Sequence, residues 1–170
     1  MSELAQDPAP PIIDGVAAIA DRYDGFILDL WGVMHDGVRA YPGARDCLAE
    51  LHRRGKRIVI LSNAPRRAAA VVARNAEIGI PADLYHGLVT SGEAAWQALS
   101  SRSDPWHGAL GASAYCLMPA RDRGLLEGLA LREVAAIAEA GFILNTGVES
   151  ARDRVEDFAG LARRAPCRRL

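Results

Sequence analysis

The chain has 170 residues, 50% of them hydrophobic and 24% charged, with 20 Lys+Arg against 21 Asp+Glu, a formal net charge of -1 and a mean hydropathy of +0.02. That mixture can bury a core, which excludes wholesale disorder, and its near-neutral charge lacks the cationic surplus that a general nucleic-acid or membrane-surface binder needs. No apolar run approaches the ~18 residues of a transmembrane helix, segment 11–20 fails as a secretory signal because it contains Asp14 and has no basic residue ahead of it, and Cys47, Cys116 and Cys167 show neither zinc nor disulfide spacing. A cytoplasmic protein with reduced thiols is the expectation.

Residues 1–11 read as a flexible, Pro-rich N-terminus. Helical spacing of Ile, Val and Ala predicts a short helix over 12–23. The run GFILDL at 25–30 is too short for a core helix and predicts a buried strand that ends in a carboxylate. A Gly- and Asp-rich loop covers 31–41. Pro42 opens a predicted helix to about Arg54, with Gly55 just past its end. RIVIL at 57–61 predicts a second strand. Pro65 opens a helix through 77, closed by Gly79. GLVT at 87–90 predicts a third strand, and 91–100 a helix. After a looser stretch at 101–111, the pattern gives a strand at 114–118, a helix at 123–130 and a strand at 142–144. An amphipathic helix follows at 150–165, with Val155, Phe158 and Leu161 on one face. Residues 165–170 read as the start of another strand. No internal repeat or heptad is present.

Apolar strands alternating with amphipathic helices predict an α/β fold with a parallel sheet covered on both faces. Ligands of such sheets sit at the carboxyl ends of the strands. Residues 29–36, 62–67 and 90–93 are therefore the candidates. Asp29 closes an apolar strand, where an unpaired carboxylate is costly unless it has a partner or a function. Ser62 and Asn63 precede a helix start, where a hydroxyl, an amide and free N–H groups suit either an anion or a simple cap. A dinucleotide site is not indicated: GxGxxG is absent after the first strand, and the glycines at 108–111 have the wrong spacing.

The segment GFILDLWGVMHDG at 25–37 resembles motif I of the haloacid dehalogenase-like superfamily, most closely its class IIA branch, which holds nucleotide and nitrophenyl phosphatases. ILSN at 60–63 resembles motif II, and Pro42-Gly43 and VTSGE at 89–93 also look like this branch. The resemblance implies a parallel Rossmann-like core, here incomplete, with the beginning of an inserted α/β cap domain. It divides the chain into the N-terminal portion of the core at 12–94 and a partial C2-type cap at 95–170. The sequence is then expected to be the front part of a longer protein. By the same resemblance Asp29 is the nucleophile that forms an aspartyl-phosphate. Mg2+ would be held by Asp29 and the backbone carbonyl of Trp31. Ser62 and the N–H of Asn63 would hold the phosphoryl group. The implied partner is a small phosphorylated metabolite, with no nucleic acid and no membrane; a homo-oligomer is compatible with the sequence.

Two departures bear on activity. Trp31 stands where the family has a second aspartate, and an indole N–H donates a hydrogen bond but does not exchange a proton usefully. Loss of a general acid/base costs ~10²–10⁴-fold in rate. His35 and Asp36 are the nearest substitutes. In addition, the basic residue of motif III and the Gly-Asp segment of motif IV have no counterpart: Lys56 is the only lysine, and Asp104, Asp122, Asp153 and Asp157 do not sit in that pattern. Little or no turnover is therefore expected. A non-catalytic relative that binds a phosphate ligand, with Trp31 stacking on it, is the alternative. Loops 118–123 and 145–149 are expected near substrate, although ordinary turn chemistry also accounts for them. A sheet lacking later strands is expected to leave an open edge and poor solubility.

Overall fold

The computed structural model describes residues 11–148, Gly160 and the pair Arg168–Arg169. Three short apolar runs form β1 (Gly25–Leu28), β2 (Arg57–Ser62) and β3 (Gly87–Thr90), which pair in the order β1-β2-β3, all parallel. Parallel neighbours need a crossover, and α1 (Ala44–Arg53) and α2 (Ala68–Glu77) provide it. Leu48 and Leu51 of α1 and Val71 of α2 join Ile58 and Ile60 in one core cluster, with Phe26, Leu28 and Leu88 packed against it.

The helix starts differ from expectation for a local reason. Gly43 adopts a left-handed conformation, so α1 begins at Ala44 rather than at Pro42. Residues 63–67 stay non-helical after β2, and α2 begins at Ala68 rather than at Pro65. Residues 12–23 form two single 3-10 turns, Val16–Ala18 and Ala20–Arg22, instead of a helix. Ala20 is the only fully buried residue in those turns, so no continuous apolar stripe holds a helix there.

Strand alternation sorts the first sheet into two faces. Phe26, Leu28, Ile58, Ile60 and Leu88 point toward the helices. Ile27, Leu61 and Val89 lie on the opposite face and are 74%, 52% and 46% exposed. Among the described residues, coverage by helices therefore holds for one face, not for both.

A second parallel sheet follows. It comprises β4 (Ser113–Leu117), β5 (Arg132–Glu133), β6 (Phe142–Asn145) and β7 (Arg168–Arg169), in the order β5-β4-β6-β7. The chain reaches it through α3 (Ser91–Ser101) and the short α4 (Pro105–Gly108). Its own core gathers Leu99, Leu110, Ala114, Leu125, Phe142 and Leu144. Ala120–Leu126 is a 3-10 run where a helix at 123–130 was expected, because Gly124 and a left-handed Gly128 interrupt it. β7 bears out the strand expected near the C-terminus. The helix expected at 150–165 and the lead-in at 1–10 lie outside the described residues, apart from a helical Gly160. Among the described residues, no helix is long and apolar enough to cross a membrane.

Adjacent residues of β2 should therefore respond oppositely. Ile60→Ala removes a fully buried side chain and is expected to cost about 2–5 kcal/mol. Leu61→Ser on the open face should cost under ~0.5 kcal/mol. Urea unfolding of the two variants checks this; equal losses would mean that the outward face is covered.

Candidate active site

β1 stops at Leu28, so Asp29 is the first residue past it, and Ser62 is the last residue of β2. The two strands are parallel with Leu28 beside Ile60, which brings Asp29 and Ser62 to one rim. That rim forms one wall of a cleft of about 860 Å3, lined there by Asp29, Trp31, Ser62 and Asn63. Arg121, Asp122, Asn145 and Thr146, which follow or end strands of the second sheet, form the other wall. The four residues singled out in the sequence thus share one cavity between the carboxyl ends of two parallel sheets. Loop residues 121–122 and 145–146, within the segments expected near substrate, also reach it.

Asp29 is exposed to the cleft, and one of its oxygens accepts the Leu30 N–H at 2.7 Å. Leu30 is buried, and its carbonyl accepts the N–H groups of Val33, Met34 and His35, which folds loop 31–35 back onto the strand end. Ser62 is buried, and its Oγ accepts the Ala64 N–H at 3.2 Å. The hydroxyl proton remains available to a ligand.

The loop after β2 is braced from behind by the start of α3. Thr90 Oγ1 donates to the Arg66 carbonyl at 2.6 Å. Ser91 Oγ donates to the Asn63 carbonyl at 2.9 Å, and the Gly92 N–H donates to the Ala64 carbonyl at 3.1 Å. A Cβ at Gly92 would lie 2.3 Å from the Arg66 nitrogen, so only glycine allows this approach. Glu93 completes the brace: its carboxylate takes Arg67 Nε at 2.8 Å and the Ala68 N–H at 3.0 Å, capping α2 from another helix. Those hydrogen bonds, Arg67 first, hold the Glu93 carboxyl below the usual range. The sequence marked 90–93 as a strand-end candidate and VTSGE as family-like; its structural work is to fix the loop that carries Ser62 and Asn63.

Trp31 is 67% exposed and lies against Gly37, where a Cβ would meet the indole at 3.0 Å. His35 is buried in the cleft wall, and its Nδ1 accepts the Gly37 N–H at 2.9 Å, which leaves the ring proton on Nε2. Burial holds the imidazole below its ordinary value, so it is neutral near pH 7. Asp36 is placed otherwise. One of its oxygens accepts the Val38 and Arg39 N–H groups at 2.9 Å each, and it does not line the cleft. Of the two substitutes named for the missing aspartate, only His35 lines the cleft.

The cleft also holds the cations Arg66, from the candidate segment 62–67, and Arg74, from outside any candidate segment. Arg66 Nε lies 3.3 Å from Asp122 Oδ1, across the gap between the two sheets. Asp122 is 2% exposed and also accepts Thr146 Oγ1 at 3.2 Å. The Arg66 contact is an ion pair without an aligned hydrogen bond. Arg74 of α2 lines the cleft while pairing with Glu77 at 2.9 Å and donating to the Gly37 carbonyl at 3.1 Å. Arg74 sits inside an ordinary helix with no motif around it, so nothing in the sequence singled it out. Among the described residues, no group of three His, Cys, Asp or Glu is placed to hold a metal.

Gly92→Ala tests the brace. The clash should cost about 1–3 kcal/mol and weaken inorganic phosphate binding at the loop it displaces. A thermal melt and a phosphate titration check both. A lower melting temperature with unchanged phosphate affinity would contradict the assigned role.

Known proteins resemble this chain in sequence family and in fold. The profile of the haloacid dehalogenase-like hydrolase family matches residues 26–132. A solved haloacid dehalogenase-like hydrolase from Brucella suis 1330 is 28% identical, with a TM-score of 0.74, over 87% of this chain and 54% of its own. A possible sugar phosphatase from Cytophaga hutchinsonii has 16% identity and a TM-score of 0.71, over 93% of this chain and 57% of its own. A 4-nitrophenylphosphatase from Thermotoga maritima has 21% identity and a TM-score of 0.52, over 74% of this chain and 45% of its own. The chain spans about half the length of these structures, and no curated protein matches it significantly. The family match covers more than half of the chain and spans the residues of motif I from Phe26 and all of motif II: the chain belongs to the haloacid dehalogenase-like hydrolases.

Proposed function

We propose that this chain carries the nucleophile and the phosphoryl cradle of a Mg2+-dependent phosphatase of small phosphorylated metabolites. The observation that carries the reading is the shared cleft of Asp29, Ser62 and Asn63 at the ends of two hydrogen-bonded strands. The nitrophenyl and sugar phosphatase descriptions of two similar structures are in keeping with it. In this reading residues 12–94 are core and the second sheet, within 95–170, is the cap. Helix α3 runs unbroken across that boundary. A cytoplasmic setting and a small-molecule rather than nucleic-acid partner belong to the same proposal.

The Leu30 N–H holds one oxygen of Asp29. The other oxygen attacks phosphorus as the P–O bond to the ester oxygen breaks, the alcohol taking a proton from solvent and an acyl phosphate remaining, which water then cleaves to free carboxylate and phosphate. Ser62 Oγ–H and the Asn63 N–H donate to the phosphoryl oxygens as charge shifts onto them. The oxygen donors available, the Asp29 carboxylate and the Trp31 carbonyl, suit magnesium, which is commonly held by one or two carboxylates, waters and substrate phosphate. They form a partial set among the described residues. When bound, the ion would offset the repulsion between the carboxylate and the incoming phosphate.

Trp31 lines the cleft at the position where the resembling family carries its acid/base aspartate, so turnover should be slow. Trp31→Asp is expected to raise kcat on 4-nitrophenyl phosphate by ~10²–10⁴-fold, and Asp29→Asn to abolish hydrolysis in both backgrounds. Hydrolysis that survives Asp29→Asn would overturn the assignment. The exposure of Trp31 in the cleft favours one other reading, a non-catalytic binder in which the indole stacks on a ligand. Undetectable hydrolysis in every variant, with phosphate-ligand affinity unchanged by Asp29→Asn, would select it.

A further inference from the structure

We propose that Arg121 makes the cleft selective for phosphoesters that carry a second anionic group, a carboxylate or another phosphate. The inference rests on the phosphoryl cradle proposed above and names the substrate class of that same site. Its starting point is how the cleft cations are neutralised. Arg66 is paired with Asp122, and Arg74 with Glu77. Arg67, which lines an adjoining pocket of about 400 Å3, is paired with Glu93 and lies over the Trp96 ring. Arg121 lines both cavities and has no ion pair or hydrogen bond among the described residues. It is the guanidinium left to meet charge on a ligand.

Its position is built rather than incidental. On either side, Pro119 and Asp122 are fully buried, and Leu125 is buried in the second core. Asp122 is further held by Arg66 from the opposite wall and by Thr146 from the end of β6. The backbone carrying Arg121 is thus pinned while its own side chain remains exposed. Asn145 and Thr146 line the same wall and offer neutral polar groups beside it. A ligand whose phosphoryl group sits at Ser62 and Asn63 presents its remaining part to this wall. A guanidinium there recognises carboxylate or phosphate through paired N–H donors. A neutral alcohol at the same place gains much less.

Calorimetric titration of the full chain in Mg2+ tests this, with glycerol phosphate, phosphoglycerate, glycerol bisphosphate and inorganic phosphate as probes. Glycerol phosphate and phosphoglycerate differ by a hydroxymethyl against a carboxylate. The wild type is expected to bind phosphoglycerate, the bisphosphate, or both, roughly 10- to 100-fold more tightly than glycerol phosphate, the range of one charge-assisted contact. Whichever is favoured identifies the second anion. Arg121→Ala should remove the preference while changing inorganic phosphate affinity far less, and Arg121→Lys should restore part of it. Equal affinities in the wild type, or a preference that persists in Arg121→Ala, would overturn the inference alone. Inorganic phosphate that fails to bind, or binds independently of Ser62→Ala, would overturn the cradle and this inference with it.

Discussion

Parallel hydrogen bonding between Gly25–Leu28 and Arg57–Ser62 is the constraint on which the site depends. Parallel strands end at the same rim, so a carboxylate just past one and a hydroxyl at the tip of the next become neighbours. Antiparallel pairing of the same two strands would place them a strand length apart, roughly 20 Å at ~3.3 Å per residue. The register is held by burial: Phe26, Leu28, Ile58 and Ile60 face one core, and a one-residue slip would turn them outward. The same rule acts in the second sheet, whose strand ends supply Asn145 and, a few residues beyond β4, Arg121 and Asp122. Two sheets that meet end to end enclose the cleft.

Much of this was legible in the sequence. GLVT at 87–90 is bounded by Gly87 and a capping Thr90, and the strand has those limits. Asp29, Ser62 and Asn63 were marked by their place after apolar runs and by the motifs they resemble, and all three line one cleft. The proline rule misplaced two helix starts, because a left-handed Gly43 and the brace from 90–93 hold the preceding residues out of the helix. β5 was invisible because Arg132–Glu133 has no apolar alternation and pairs through its backbone alone. The Arg66–Asp122 contact joins residues far apart in the chain, and no local pattern encodes it.

Electrostatics and packing are balanced in opposite ways in the cleft and on the outward face of the first sheet. The Arg66–Asp122 pair buries its carboxylate and leaves its guanidinium half-buried; a buried charge recovers its desolvation cost only with good geometry, and here the hydrogen bond is not aligned. Its consequence is positional: it ties the loop after β2 to the loop after β4 and sets the width of the cleft at that point. The outward face of the first sheet is the reverse case. Ile27, Leu61 and Val89 are apolar and open, the kind of contiguous surface that monomeric domains usually keep small. The side of the sheet that packs on helices holds the fold, while the strand ends line the cleft.

The proposed phosphoryl-accepting role of Asp29 is tested most directly by beryllofluoride, which mimics a phosphoryl group on a carboxylate. Fluorine NMR of the chain with beryllofluoride and Mg2+ should show a bound signal that vanishes in Asp29→Asn and weakens in Ser62→Ala. A bound signal that persists in Asp29→Asn, or none in the wild type, would contradict the account.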